Sequence, residues 1–194
     1  MNEHYFSDAP SSKIKLYTIK TNLRNQNFEF STSSGIFSPK NIDKGTRLLI
    51  DTMQLPDEGN ILDLGTGYGA IGIVVASIAL KCQVYMIDKN ERAIWLAKEN
   101  IKKNATVNAE ARVGGLEAVK NLKFSLILSN PPLAIGYENL NSLFSSIPEY
   151  FDKNCTLQMV LRKTHQKIIS MMENIFTNVN VLKKKSGYLI LKCY

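Results

Sequence analysis

Histidine is almost absent from this chain: two among 194 residues, His4 and His165. Neither sits in a pattern that would make it a catalytic base, and both read as surface or structural positions. Cysteine is scarce as well. Cys82, Cys155 and Cys193 are odd in number, widely spaced and lack metal-ligand spacing, which predicts reduced thiols in a cytoplasmic protein with no bound metal. No apolar run approaches the ~20 residues of a membrane span. The opening "MNEHYFSDAP" has neither a basic start nor an apolar stretch, so it predicts no signal peptide.

Against these absences stands an ordinary globular composition, with 44% hydrophobic and 21% charged residues. The length suits a single domain with a full core, 1–194, in which 1–45 form an extension and 46–194 the main fold. The net charge of +7 is uneven. Residues 1–161 carry a net +1, whereas 162–194 hold seven Lys/Arg against Glu173 alone. A basic end of this kind fits a phosphate-bearing partner such as RNA, or else a solvated lysine-rich face.

Residues 15–20 and 28–32 alternate in strand fashion across the polar stretch "TNLRNQN", predicting a hairpin. A Ser/Gly/Pro loop and a short helix over 46–53 follow. From residue 60 strands alternate with helices: "NILDL", a helix over 70–80, "QVYMID", a helix over 91–103, "AEARV" and "FSLILSN". A helix over 137–150, "TLQMVL", a helix over 164–176 and "GYLILKC" complete the series, with Lys183, Lys184 and Lys185 opening the last hairpin. This alternation predicts an α/β protein with a mostly parallel sheet buried on both faces.

"DLGTGYGA" lies between a predicted strand and helix. Gly65, Gly67 and Gly69 permit a sharp turn and close approach of a ligand, and the helix start behind them offers N–H groups. The spacing also admits a dinucleotide loop, Gly65-x-Gly67-x-x-Ala70, with Asp88 ending the next strand. Asp63, however, is predicted to point towards the loop, where it would repel a pyrophosphate and suit a ligand carrying an ammonium. S-adenosylmethionine is such a ligand. Asp88 would then accept hydrogen bonds from ribose hydroxyls, or cap the helix that begins near Glu91, or both. Tyr68, inside the loop, either covers the ligand or packs below it.

Asn130 ends the "FSLILSN" strand in front of Pro131 and Pro132. Ligands of open α/β sheets bind beyond the carboxyl ends of strands, so Asn130 is expected to face the crevice of the glycine loop. Its side-chain oxygen and the Pro131 carbonyl are two acceptors in a stiff frame, suited to the two hydrogens of an –NH₂ group. Gripping a delocalised amine in this way favours a pyramidal nitrogen with its lone pair aimed at the methyl of a sulfonium. Catalysis would come from positioning and electrostatics, without a strong base.

The order "DLGTGYG…YMIDKN…LSNPP" resembles that of class I, Rossmann-like methyltransferases that act on amines. With the flanks "SGIFSPKNIDKGTRLLI" and "DKNERAIWLAKENIKKN" it resembles the small-domain methyltransferase family. That family includes the bacterial 16S rRNA guanine-N2 methyltransferases. "HYFSDAP" and "GYLILKC" resemble especially its free-standing, single-domain archaeal members.

The resemblance implies a seven-stranded sheet with an antiparallel last strand and an N-terminal hairpin. It implies S-adenosylmethionine bound by Gly65, Thr66, Gly67 and Asp88, with Phe37 lining the crevice and Asn130, Pro131 and Pro132 at the target amine. Two positions depart from the family pattern. Gly114-Gly115 stands where an acidic residue often reads adenine, which predicts a backbone-only contact there. Leu133 stands where an aromatic residue often stacks on the target base, leaving Tyr137 or Phe37 to do so.

The function expected is transfer of a methyl to an exocyclic amine, guanine N2 of ribosomal RNA, with Arg162, Lys163 and Lys167 at the RNA. A protein glutamine N-methyltransferase is the alternative, since an amide –NH₂ fits the same acceptors. A NAD-dependent oxidoreductase would leave Asp63 and Asn-Pro-Pro without a role, and a non-catalytic RNA-binding subunit would leave Asn130 without one. Trp95, between Ile94 and Leu96, is expected in the core.

Overall fold

The computed structural model describes residues 15–194. The opening "HYFSDAP", with His4, lies outside the described residues. Strands β1 (Leu16–Leu23) and β2 (Gln26–Ser33) form an antiparallel hairpin. The strands run longer than the sequence predicts, because the turn is only Arg24-Asn25, both at positive φ (50° and 63°). Such a two-residue turn matches the twist of the strands and lets the polar flanks pair.

The remaining strands are β3 (Gly59–Leu64), β4 (Cys82–Asp88), β5 (Ala109–Val113), β6 (Phe124–Ser129), β7 (Phe151–Arg162), β8 (Val179–Lys185) and β9 (Tyr188–Cys193). They form one seven-stranded sheet in the order β5-β4-β3-β6-β7-β9-β8. Strands β3 to β7 are parallel, and β9 runs antiparallel to both its neighbours. The chain starts at β3, steps outward to β5, then returns to place β6 on the other side of β3. That reversal leaves a crevice beyond the carboxyl ends of β3 and β6.

Alternation along the strands feeds two cores. Ile61, Val84, Met86, Leu126 and Leu128 face helices α1 (Lys44–Thr52), α2 (Ala70–Ile78) and α3 (Glu91–Lys103). Leu62, Ile87, Ile127, Leu157 and Met159 face α4 (Tyr137–Ser146) and α5 (Gln166–Ile175). The predicted helix over 137–150 breaks at Ile147, where Pro148 continues it as a turn of 3₁₀ helix. Trp95 is half exposed on α3, not in the core. No helix among the described residues is long and apolar enough to cross a membrane.

The hairpin docks on α3 through two asparagines one turn apart. Asn104 accepts from Glu29 N and donates to Glu29 O. Fully buried Asn100 accepts from Ser31 N (2.7 Å), and its amide donates both to Ser31 O and to Tyr68 O in the glycine loop.

Candidate active site

Between β3 and α2 the chain reverses with Gly65, Gly67 and Gly69 at φ of 73°, 58° and 93°. Gly65 N and Thr66 N both donate to Ile87 O at the end of β4, which pins the loop to the neighbouring strand. A side chain on Gly67 would meet nothing within 4 Å: it would project into open space, so the bare backbone there is what a ligand meets. Gly69 is different. It lies outside the crevice wall, and a Cβ there would press on Ile73 and Ala97, so this glycine serves the turn.

Asp63 does not face the ligand space. It is fully buried beneath the loop, where Oδ2 accepts from Thr66 Oγ1 (2.5 Å) and Gly72 N (2.9 Å). On β3 its side chain alternates onto the α2 face of the sheet, one position past Leu62, and there it braces the loop. Burial pushes its carboxyl up to about 6, against the pull of the Thr66 and Gly72 bonds, and Oδ1 has no hydrogen-bond partner.

Asp88, at the end of β4, does line the crevice. Its Oδ2 accepts from Gly67 N and its Oδ1 from Asn90 N, each at 2.9 Å. The cap of α3 is Asn90, which accepts from Arg92 N and Ala93 N, so Asp88 holds loop and helix together without capping.

Beyond β5, Gly114 and Gly115 also line the crevice, and so does Glu117, which sequence reasoning missed. Glu117 folds back so that Oε1 accepts from Gly115 N (2.6 Å), a bond that lowers its pKa. A Cβ on Gly115 would lie 2.7 Å from Glu117 Oε2, and one on Gly114 3.1 Å from Oε1. The carboxylate therefore occupies the space that a side chain at either glycine would take. The signal was an acidic residue two places past a glycine pair.

On the other side of the reversal, Ser129 Oγ donates to Leu64 O (2.8 Å) and joins the two strand ends. Asn130 Nδ2 donates to Thr46 Oγ1 (2.8 Å) and to Asp43 Oδ2 (3.3 Å). Asp43 caps α1, accepting from Gly45 N and Thr46 N. Asp43 can only accept, so the nitrogen of the Asn130 amide must face it. Asn130 Oδ1 has no donor among the described residues, and Asn130 lines the crevice. Sequence reasoning also missed Asp43 and the role of Thr46. The Pro131 carbonyl already accepts from Leu133 N (2.9 Å) and keeps one further lone pair.

These ends enclose a crevice of about 980 Å³. Its wall includes Phe37, half exposed, and Tyr68, buried, whose phenol is pushed up by burial and so stays protonated. Leu64, Ile71, Ile87 and Leu116 supply apolar wall. Asp43, Asp88, Glu117 and Glu149 place four carboxylates in it, against Lys89 at the glycine end and Arg162.

Pro132, Leu133 and Arg162 also line the crevice, and the Arg162 guanidinium stacks on Tyr188 at 5.5 Å. Lys163 lies outside the wall, and Tyr137 and Lys167 belong to an adjoining cavity, so Tyr137 is not placed to stack on a target base there. Lys183, Lys184 and Lys185 are exposed on edge strand β8. The three cysteines are free and buried. Among the described residues no group of His, Cys, Asp and Glu could hold a metal ion.

The sequence profile of the methyltransferase small domain family matches residues 27–192. The Bacillus subtilis protein YbxB is 39% identical across 99% of this chain and 98% of its own. This relative is bacterial, whereas the terminal motifs point to archaeal members. A Psychromonas ingrahamii ribosomal RNA large subunit methyltransferase G is 27% identical over 95% of this chain and 50% of its own. The fold is that of the T. thermophilus 16S rRNA N2 methyltransferase RsmC, solved with AdoMet and guanosine, at a TM-score of 0.82 and 21% identity over 95% of this chain and 51% of that one. The chain thus spans about half the length of these two ribosomal RNA methyltransferases.

Proposed function

The chain belongs to the methyltransferase small domain family, and from that premise we propose that it transfers the methyl of S-adenosylmethionine to the exocyclic N2 of a guanine in cytoplasmic ribosomal RNA. The observation that carries this reading is the fixed amide of Asn130, held by Thr46 and Asp43 with its oxygen unspent.

The crevice fits the cofactor. Four carboxylates in the wall against two fixed cations suit a cationic ligand without phosphates and would repel a dinucleotide. The same charge balance argues against the NAD reading. Asp88, whose carboxylate accepts from Gly67 N and Asn90 N, is the acceptor offered to ribose hydroxyls beside the open backbone of Gly67. Glu117 stands at the end of β5 as an acceptor for the adenine amine, in place of a backbone-only contact. Asp43, not Asp63, is the carboxylate on the wall near the reacting end.

S-adenosylmethionine, when bound, supplies an electrophilic methyl on a positively charged sulfur. The chain's part is to place the acceptor. Asn130 Oδ1 and the remaining lone pair of the Pro131 carbonyl take the two amine hydrogens and turn the nitrogen lone pair inward. The Phe37 ring and the branched side chain of Leu133 bound the space for the base. The frame moves little, because α1, β6 and the two prolines fix it, so the hydrogen bonds are set before the reaction.

The test is tritium transfer from labelled S-adenosylmethionine into the RNA and protein fractions of a strain lacking the protein, followed by nucleoside analysis. Label in N2-methylguanosine is the expected result. Label in protein glutamine would move the assignment to the amide alternative.

A further inference from the structure

A second cavity of about 360 Å³ adjoins the crevice, and Leu133 and His165 belong to the walls of both. Its floor is apolar, made by buried Leu140 and Ile168. Tyr137 stands at its side 52% exposed, an aromatic face without a partner ring among the described residues. Thr164, Gln166 and Lys167 complete the rim, and no carboxylate lines it. His165 Nδ1 is buried without a hydrogen-bond partner, so no bond at that nitrogen holds the ring. An unmet buried nitrogen is costly, and a ring turn towards a ligand edge would recover that cost.

We infer that this cavity receives the base of a nucleotide flanking the target in the RNA, an inference that rests on the proposed RNA substrate. An apolar floor with one exposed aromatic face is what a splayed-out base stacks on, whatever its identity. Thr164, Gln166 and His165 offer donors and acceptors to the base edge, and Lys167 with neighbouring Lys163 meets the phosphate. The shared wall at Leu133 and His165 makes target and neighbour adjacent, as consecutive nucleotides are. Positive charge without a carboxylate favours a phosphate backbone over a peptide.

The test is a coupling cycle in single-turnover methyl transfer. Wild type and Tyr137→Ala are each measured on an RNA with an intact neighbour and on one made abasic at that position, with each neighbour of the target tested in turn. Tyr137→Ala on intact RNA should raise the half-saturating concentration about 10- to 100-fold, with the saturating single-turnover rate kept. Wild type on the abasic RNA at one side should lose the same factor in apparent affinity, and the two changes together should lose no more. His165→Ala should show the same non-additivity to a smaller degree. Losses that multiply, or no loss on either abasic RNA, overturn the inference. If wild type labels no RNA at all, the ribosomal RNA reading falls before any variant is made.

Discussion

Asn130 and Thr46 are 84 residues apart, yet the amide nitrogen of one lies 2.8 Å from the hydroxyl of the other. With Asp43 at 3.3 Å on the same nitrogen, the orientation of the Asn130 carboxamide is decided by α1, not by its own strand.

Removing the oriented acceptor should therefore remove catalysis and spare the fold. Asn130→Ala is expected to slow single-turnover methyl transfer by about 10²–10³, the worth of one preorganised contact in a dry site. Cofactor affinity and melting temperature should stay near wild type. Asn130→Asp should fail too, because it loses both donated bonds and sets a second carboxylate against Asp43. Thr46→Val should cost about 5- to 10-fold through the lost bond. Wild-type rates in Asn130→Ala would reduce the Asn-Pro-Pro turn to a strand terminator.

The two carboxylates assigned to adenosine should separate by ligand. Asp88→Ala and Glu117→Ala are each expected to weaken S-adenosylhomocysteine by about 1–3 kcal/mol in calorimetry. Only Glu117→Ala should narrow the preference for adenine over a purine lacking the 6-amine. Undiminished preference in that variant would return adenine to backbone contacts.

Asp63 should leave a mark on stability. Burial raises its carboxyl from 3.8 to about 6, so the folded state binds this proton more tightly than the unfolded chain does. The resulting stabilisation is complete below about pH 3.8 and is lost as pH rises through about 6, roughly 3 kcal/mol in all. Asp63→Asn cannot ionise and escapes that loss. Its unfolding free energy from urea titration, minus that of wild type, should grow by this amount between about pH 4 and pH 7. A constant difference would mean that the carboxyl ionises at its ordinary value.

If the basic stretch 162–194 meets phosphates, neutralising Arg162, Lys163 and Lys167 together should flatten the log–log dependence of RNA affinity on salt by about 2–3. An unmoved slope would leave them as solvated surface.

Much of this was legible in the sequence. The strands from "NILDL" onward announce themselves as apolar runs between turn signals, and the crevice follows from a glycine loop and Asn130 at two strand ends. What escaped was whatever depends on contact across the chain. Asp63 has the same spacing to the loop whether it points up or down, and only its alternation on β3 buries it. Glu117 became visible once its side chain was seen folded over Gly115. Asp43 reads as a helix cap, and nothing local says that the same oxygen also takes Asn130. Tyr137 and Lys167, grouped by sequence with the target, belong to the cavity next door.

One carboxamide, that of Asn100, fastens both strand β2 and the glycine loop. Among the described residues the crevice wall begins at Ile36, and residues 16–33 are not part of it. They bear instead on how long a ligand stays. Without Ser31 the Asn100 amide would be free to swing away from the Tyr68 carbonyl, and the backbone from Thr66 to Gly69 would open more often. Because Phe30 of the hairpin also packs on Tyr68, loosening the hairpin is expected to shorten the ligand's residence time.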